Sequence, residues 1–410
     1  MELSAEERID EFLVARRADQ FSFLSALVQI RSENPPGASV EAREKIVALL
    51  SALELPITVH DVPEATASVR NYTDLANIVI RRAFGEGPTL ALSAHVDTAP
   101  TGPRWTAKPF GATITEGRMY GRGVSDGKGD LAAYVFAILA LEEIAENLTG
   151  TVEVHVTFDG ETGGELGARW LLAEEISAPT WAIVPGGAHA VGTSVTGVLN
   201  LDVEVKGQAA PAGRPQSGAD ALEAVSYVMK SMYAYRNGLS AIQSEIPGIG
   251  SPTLVVTEIS GGTSPLSVPD RVTLSIDRRL LPEEDPDAVE AEITNLIGHG
   301  VVQVPGVVCA VRRQRLLPAI VANEGAALLA QSLQGHVGKV LEAEVPTYGV
   351  AHETAARHYA NAGVPTFLYG AGSADVAALN TAGPDENLAL DDLRIATKVL
   401  AAVMADWLSA

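Results

Sequence analysis

Short apolar runs bounded by turn residues alternate with helix-length segments in the first half of this chain. That alternation limits the possible folds more than any other feature. "LANIVIRR" and "TLALSAHVD" have the length and apolar content of buried strands. "GDLAAYVFAILALEEIAENL" has helical period and length, "TVEVHVTFDG" is strand-like again, and "GELGARWLLAEE" is helical. Strands buried on both faces and separated by helices pair most simply in parallel, so the pattern predicts an α/β fold with a mixed, largely parallel sheet.

The middle of the chain changes character. "VLNLDVEVKG" alternates in the manner of a half-exposed strand, and "TLVVTEISGG" and "DRVTLSIDRRLLP" are further strands. "GADALEAVSYVMKSMYAYRNGL" and "PDAVEAEITNLIGHG" read as helices. Two helices over an antiparallel sheet make a compact α+β module. The helix–strand alternation then resumes with "VANEGAALLAQSLQGHV", "VPTFLYGAG" and a final helix "LDDLRIATKVLAAVMADWLSA". The module is therefore inserted: a discontinuous first domain over 1–196 and 316–410, and an insert over 197–315. With 410 residues, two cores are the expectation on length as well.

Composition narrows the function. The net charge of −22 disfavours nucleic acid and anionic membrane as partners. The single cysteine, Cys309 in "GVVCAVRR", excludes an internal disulfide framework and a cysteine-held metal, and reads as a small buried hydrophobe. No apolar run approaches the roughly 20 residues of a membrane helix. The acidic, amphipathic N-terminal segment lacks the order of a signal peptide and reads as a helix of the mature fold. A cytoplasmic location is the expectation.

Three segments carry candidate chemistry. "SAHVDTAP" sets His95 and Asp97 on one side of a strand end, since residues i and i+2 of a strand share a face. A carboxylate there can hold an imidazole's tautomer, although an ordinary hydrogen-bonded pair gives the same sequence. "MYGRGVSDGKGD" places Asp126 in a glycine-rich turn before a long helix, where a plain helix cap is the alternative. "FDGETGGELGA" places Asp159 and Glu161 at a strand end, where a solvated loop is the alternative.

In this order and at these spacings the segments resemble the zinc-dependent aminoacylase, acetylornithine deacetylase, succinyl-diaminopimelate desuccinylase and carboxypeptidase G family of co-catalytic metallohydrolases. The resemblance continues through "GGTSPLSVPDRVTLSIDRRLLPEED", "AGVPTFLYGAG" and "GPDENLALDDL", and so covers nearly the whole chain. It implies a phosphorylase/hydrolase-like catalytic domain and an inserted α+β lid and dimerisation domain. It also implies two metals about 3.5 Å apart that activate a bridging water. By the same resemblance His95 matches a ligand of one metal, Asp126 the carboxylate that bridges both, and Glu161 a ligand of the other. Asp97 matches the residue orienting the ligand histidine, and Arg278 a position near a substrate carboxylate, where a guanidinium fork suits bidentate binding.

The departures from the family pattern fall in one group. Gly160 stands where the family has the acid that takes a proton from the metal-bound water, and Val184 where it has a ligand acid. Pro211 stands where it has an oxyanion-binding histidine, and Ala382 is the approximate counterpart of its last ligand histidine. Loss of a general base alone removes about 10²–10⁴ in rate. His352 and Glu353 in "YGVAHETAARHYANAGVP" are replacement candidates for base or ligand, against the alternative of a solvent-facing pair. His189 is a weaker candidate, and His60, His155, His299 and His336 read as structural.

The expectation is a hydrolase of a C–N bond (amide, N-acyl or activated amine) in a small carboxylated substrate. It would use one weakly held, labile divalent ion (zinc, manganese or cobalt) on His95, Asp126 and Glu161, with no organic cofactor. Asp97, His352 and Glu353 are its catalytic candidates and Arg278 its substrate-binding candidate. Two other readings stay open: a metal-independent enzyme using the same cleft for isomerisation or condensation, and a non-catalytic ligand-binding protein. A homodimer through the insert is expected from the resemblance.

Overall fold

A computed structural model describes residues 3–35, 37, 40–322, 324–373 and 376–409. Among them the chain separates into two compact units. One comprises residues 1–193, 322–348 and 353–410, the other 194–321 with 349–352.

The first unit is built on a mixed sheet. Its strands run in the order Ile57–Asp61, Ala76–Ala83, Thr151–Thr157, Thr89–His95, Trp181–Val184, Thr366–Leu368 and Val191–Val195, and along the last of these the chain crosses into the second unit. The outer pairings are antiparallel, and the four strands from Thr151–Thr157 to Thr366–Leu368 are mutually parallel. "TLALSAH" forms a central strand because Leu90, Ala91, Leu92 and Ala94 are all buried, as a strand covered on both faces requires.

The helix Lys128–Leu141 shows the same logic in helical form. Every residue but Leu139 is buried, and the sequence is apolar all round rather than striped. It packs against Leu390–Trp407 and Arg17–Gln29. The first helix, Ala5–Ala15, is opened by a capping box between Ser4 and Glu7. "GELGARWLLAEE" yields only a short helix, Ala168–Ala173, because turns occupy the glycine-rich residues before it. Helix Val40–Ser51 and strand Ile57–Asp61 have no counterpart in the sequence reading.

In the second unit four strands pair antiparallel in the order Thr253–Gly261, Arg271–Leu280, Gly197–Lys206 and Val308–Leu317. Leu199, Leu201, Val203 and Val205 point to the core formed with helices Ala221–Leu239 and Pro286–Val301. Asn200, Asp202 and Glu204 alternate with them and carry polar pairs: Asp202 with Arg312, and Asn200 with Asp277. Each helix starts at an aspartate, Asp220 or Asp285, whose carboxylate accepts from two backbone N–H groups.

Candidate active site

Parallel strands end at a common edge, and this brings the candidate residues of the first unit together. His95 is the last residue of its strand and lies in register with Thr157, so the segment Asp159–Glu161 leaves the sheet beside the segment Val96–Asp97. Val184 and Leu368, paired in register, end the next two strands. Asp126 arrives from the turn before the long helix. There Gly127, with φ +84°, crosses the His95 backbone so closely that a Cβ would run into its carbonyl oxygen.

Asp97 is fully buried, and its carboxylate ties three segments together. Oδ1 accepts from Gly160 N at 2.9 Å, and Oδ2 accepts from Glu161 N at 3.0 Å and from Asn34 Nδ2 at 2.8 Å. His95 Nδ1 faces its Oδ1 at 3.3 Å and its backbone oxygen at 3.1 Å. Such a saturated carboxylate holds its neighbours in place. It orients His95 and the turn that carries Glu161, and it presents no free face to a substrate.

His95 Nε2 meets Asp126 Oδ1 at 3.1 Å. Burial alone would lower the imidazole's pKa, but the charge and hydrogen bond of Asp126, with help from Asp97, hold it well above the ordinary value. Glu161 turns its Oε1 to Ala99 N at 2.7 Å, and burial pushes its carboxyl up to about 7. Burial does the same to Asp159, whose Oδ2 accepts from Leu166 N at 2.6 Å, and to Asp130, which accepts from Ala371 N at 2.9 Å.

Further residues form the site's frame. Arg122 pairs with Glu386 at 2.8 Å, both buried, and Glu386 also accepts from Ser125 N and Oγ at 3.0 Å. The turn that presents Asp126 is thereby pinned to the C-terminal segment. Lys128 is fully buried and donates to Ile30 O at 2.8 Å; burial lowers its ammonium to about 7. His358 reaches Gly163 O at 2.6 Å and so braces the loop just beyond Glu161. Asn34, Lys128, Asp130, Arg122, Glu386 and His358 were not singled out from the sequence. "SDGKGD" and "GPDEN" held the one available signal: charged residues beside glycines at segment ends.

The other candidates lie elsewhere. Arg278 is fully buried in the second unit, and its fork closes on Glu284, with Nη2 to Oε1 at 2.5 Å and Nη1 to Oε2 at 3.3 Å. A substrate carboxylate would have to displace that internal partner. His352 belongs to the second unit and is exposed; Glu353 belongs to the first and is half-buried. His189 does not turn toward His95 but pairs with Asp392 at 2.8 Å. His155 is buried between Glu153 at 3.0 Å and the Tyr359 hydroxyl at 2.6 Å. Val184 is fully buried, and Ala382 is exposed with φ +57°.

These donors fit one divalent ion better than two. Two ligands of one ion, each about 2.0–2.2 Å from it, stand roughly 3–3.5 Å apart, and His95 Nε2 and Asp126 Oδ1 do so. The Glu161 carboxylate would have to leave Ala99 to join them. As they stand, the described residues contain no group of three His, Cys, Asp or Glu side chains arranged to hold a metal. The aliphatic Val184 supplies no donor for a second ion.

Carboxylates and a histidine at the carboxyl edge of parallel strands define an α/β protein of the kind that holds its site at that edge. A profile of peptidase family M20/M25/M40 matches residues 91–406, and the chain belongs to this family of peptide and amide hydrolases. It is 28% identical over 319 residues to a probable succinyl-diaminopimelate desuccinylase of Staphylococcus epidermidis, covering 70% of this chain and 74% of that one. Among solved structures it resembles human carnosine dipeptidase 1, with TM-score 0.72, 16% identity and 99% of each chain covered. It also resembles a Bacillus subtilis protein described as a dinuclear metal binding peptidase of the family, with TM-score 0.68, 14% identity and 96% and 98% coverage. No helix of the described residues is long and apolar enough to cross a membrane.

Proposed function

We propose that this protein hydrolyses a C–N bond in a small carboxylated substrate, with one weakly held divalent ion on His95 and Asp126 that recruits Glu161. The observation that carries the reading is the anchoring of Asp97. Four polar groups converge on a carboxylate with no solvent contact, and the segments they fix are those bearing His95 and Glu161. A buried charge is costly unless its partners are kept in place, so a discarded site would not be expected to preserve this arrangement.

When bound, the ion would polarise the scissile carbonyl and acidify a water. The chain's own residues do the rest. Asp97 holds the His95 ring with Nε2 toward Asp126, and Glu386 with Arg122 fixes the turn that presents Asp126. Asp126 and Glu161 are the acids of the group with solvent access, so they are the side chains that could take up a proton at the site. The names of the relatives, a desuccinylase and a dipeptidase, support a small substrate bearing carboxylates.

The test is calorimetry with zinc, manganese and cobalt, alongside turnover of N-succinyl amino acids and dipeptides. Wild type is expected to bind one ion per chain, with affinity strongly reduced in Asp126→Ala. Equal binding by the two proteins would overturn the reading. We also propose a homodimer through the second unit. The edge strand Thr253–Gly261 exposes Val255 and Ile259, an edge that a second strand could cover. Light scattering that shows a monomer would reject it.

A further inference from the structure

The space beside Gly160 is filled by His95. A Cβ built on Gly160 would lie 2.5 Å from His95 Cβ, 2.7 Å from its Nδ1 and closer still to its Cγ, and these are the three nearest heavy atoms. Carbon atoms in good contact stand about 3.5–4.0 Å apart, so this overlap has to be relieved by movement. The backbone at this point makes no demand for glycine. Gly160 opens the single turn Gly160–Thr162, and its φ is outside the left-handed region. Nor does His95 have slack, since Nε2 faces Asp126 and Nδ1 faces Asp97.

We propose that Gly160 is a positioning residue for His95: its missing side chain is what lets the imidazole stand against the turn and face Asp126. Position 160 and His95 are then one co-adapted unit, and any side chain placed at 160 forces the His95 ring out of its present place. This deepens the hydrolase reading and rests on it only for the consequence that no proton acceptor can be placed at 160 without moving the His95 ring.

The test uses the metal-free protein and a double-mutant cycle of Gly160→Ala, His95→Ala and both together, followed by urea unfolding. His95 is tracked by its imidazole ¹H–¹⁵N resonances in wild type and Gly160→Ala. In the wild-type background Gly160→Ala is expected to lower the unfolding midpoint and shift the His95 resonances. In the His95→Ala background the same change should cost nothing or stabilise, because alanine restricts the unfolded chain more than glycine does. If Gly160→Ala fails to fold, the double variant should fold. Zinc affinity, read with a competing chelator, is expected to fall about 10–100-fold in Gly160→Ala. An equal cost in both backgrounds, unmoved His95 resonances, or a double variant that also fails to fold would overturn the proposal. Absence of zinc binding in wild type would remove the hydrolase reading and leave the cycle to decide on Gly160.

Discussion

Asp97 shows how much one side chain can carry. Its two oxygens, which are fully buried, receive the Gly160 and Glu161 backbone N–H groups and the Asn34 amide. Asp97→Ala therefore strands buried donors and frees the loop, and is expected to cost about 3–5 kcal/mol in urea unfolding. Asp97→Asn keeps the shape but turns part of an acceptor into a donor facing other donors, so it should recover little of that loss. The sequence pointed to the His95–Asp97 pair through i and i+2 spacing. Asn34 gave no such sign, because its contact with Asp97 joins segments 63 residues apart.

At the scale of elements, the site depends on how the turn at 121–127 is fixed. Arg122 and Glu386 form a buried ion pair across the turn and the C-terminal segment, and Glu386 also caps Ser125. Removing one partner leaves the other charged and unpaired inside the protein. Arg122→Ala is expected to cost about 3–5 kcal/mol and to weaken metal binding as Asp126 loses its footing, checked by urea unfolding and calorimetry. An unaltered metal affinity would show that the turn holds Asp126 without the pair. The helix after the turn was readable from its apolar content. The pair that anchors its start was not, since "GRGVSD" and "PDENLA" do not announce each other.

For the whole molecule, buried carboxyls set opposing trends with pH. Burial pushes Glu153 up, but hydrogen bonds from His155, Ser177 and Arg81 and the charge of His155 outweigh it and hold it at about 2, below its ordinary 4.5. Its contribution is complete above pH 4.5 and is lost as pH falls toward 2. Asp130 goes the other way: burial raises it from 3.8 to about 7, so the unfolded chain releases that proton first. Its contribution to stability therefore declines as pH rises from about 4 to about 7 and is level beyond. Urea midpoints between pH 3 and 8 should show a shallower decline above pH 4 in Asp130→Asn, and a shallower loss on the acid side in Glu153→Gln. Profiles parallel to wild type would count against these assignments.

Strand and helix periods determined the α/β class, the inserted α+β segment and the ends of the strands on which His95 and Glu161 ride. These follow from local rules: side-chain alternation, apolar runs and glycine at turns. By the family resemblance, Gly160 falls where an acid is expected. The tertiary structure alone decided what fills the space beside Gly160. Parallel pairing carries the 95–97 and 159–161 segments to one edge, and there the His95 ring occupies the space that any side chain at 160 would need. It also decided that Arg278 closes on Glu284 and that Lys128 and Asp130 are buried beside the site. Such outcomes depend on which distant atoms compete for one volume and one set of hydrogen bonds, and no local pattern along the chain records that competition.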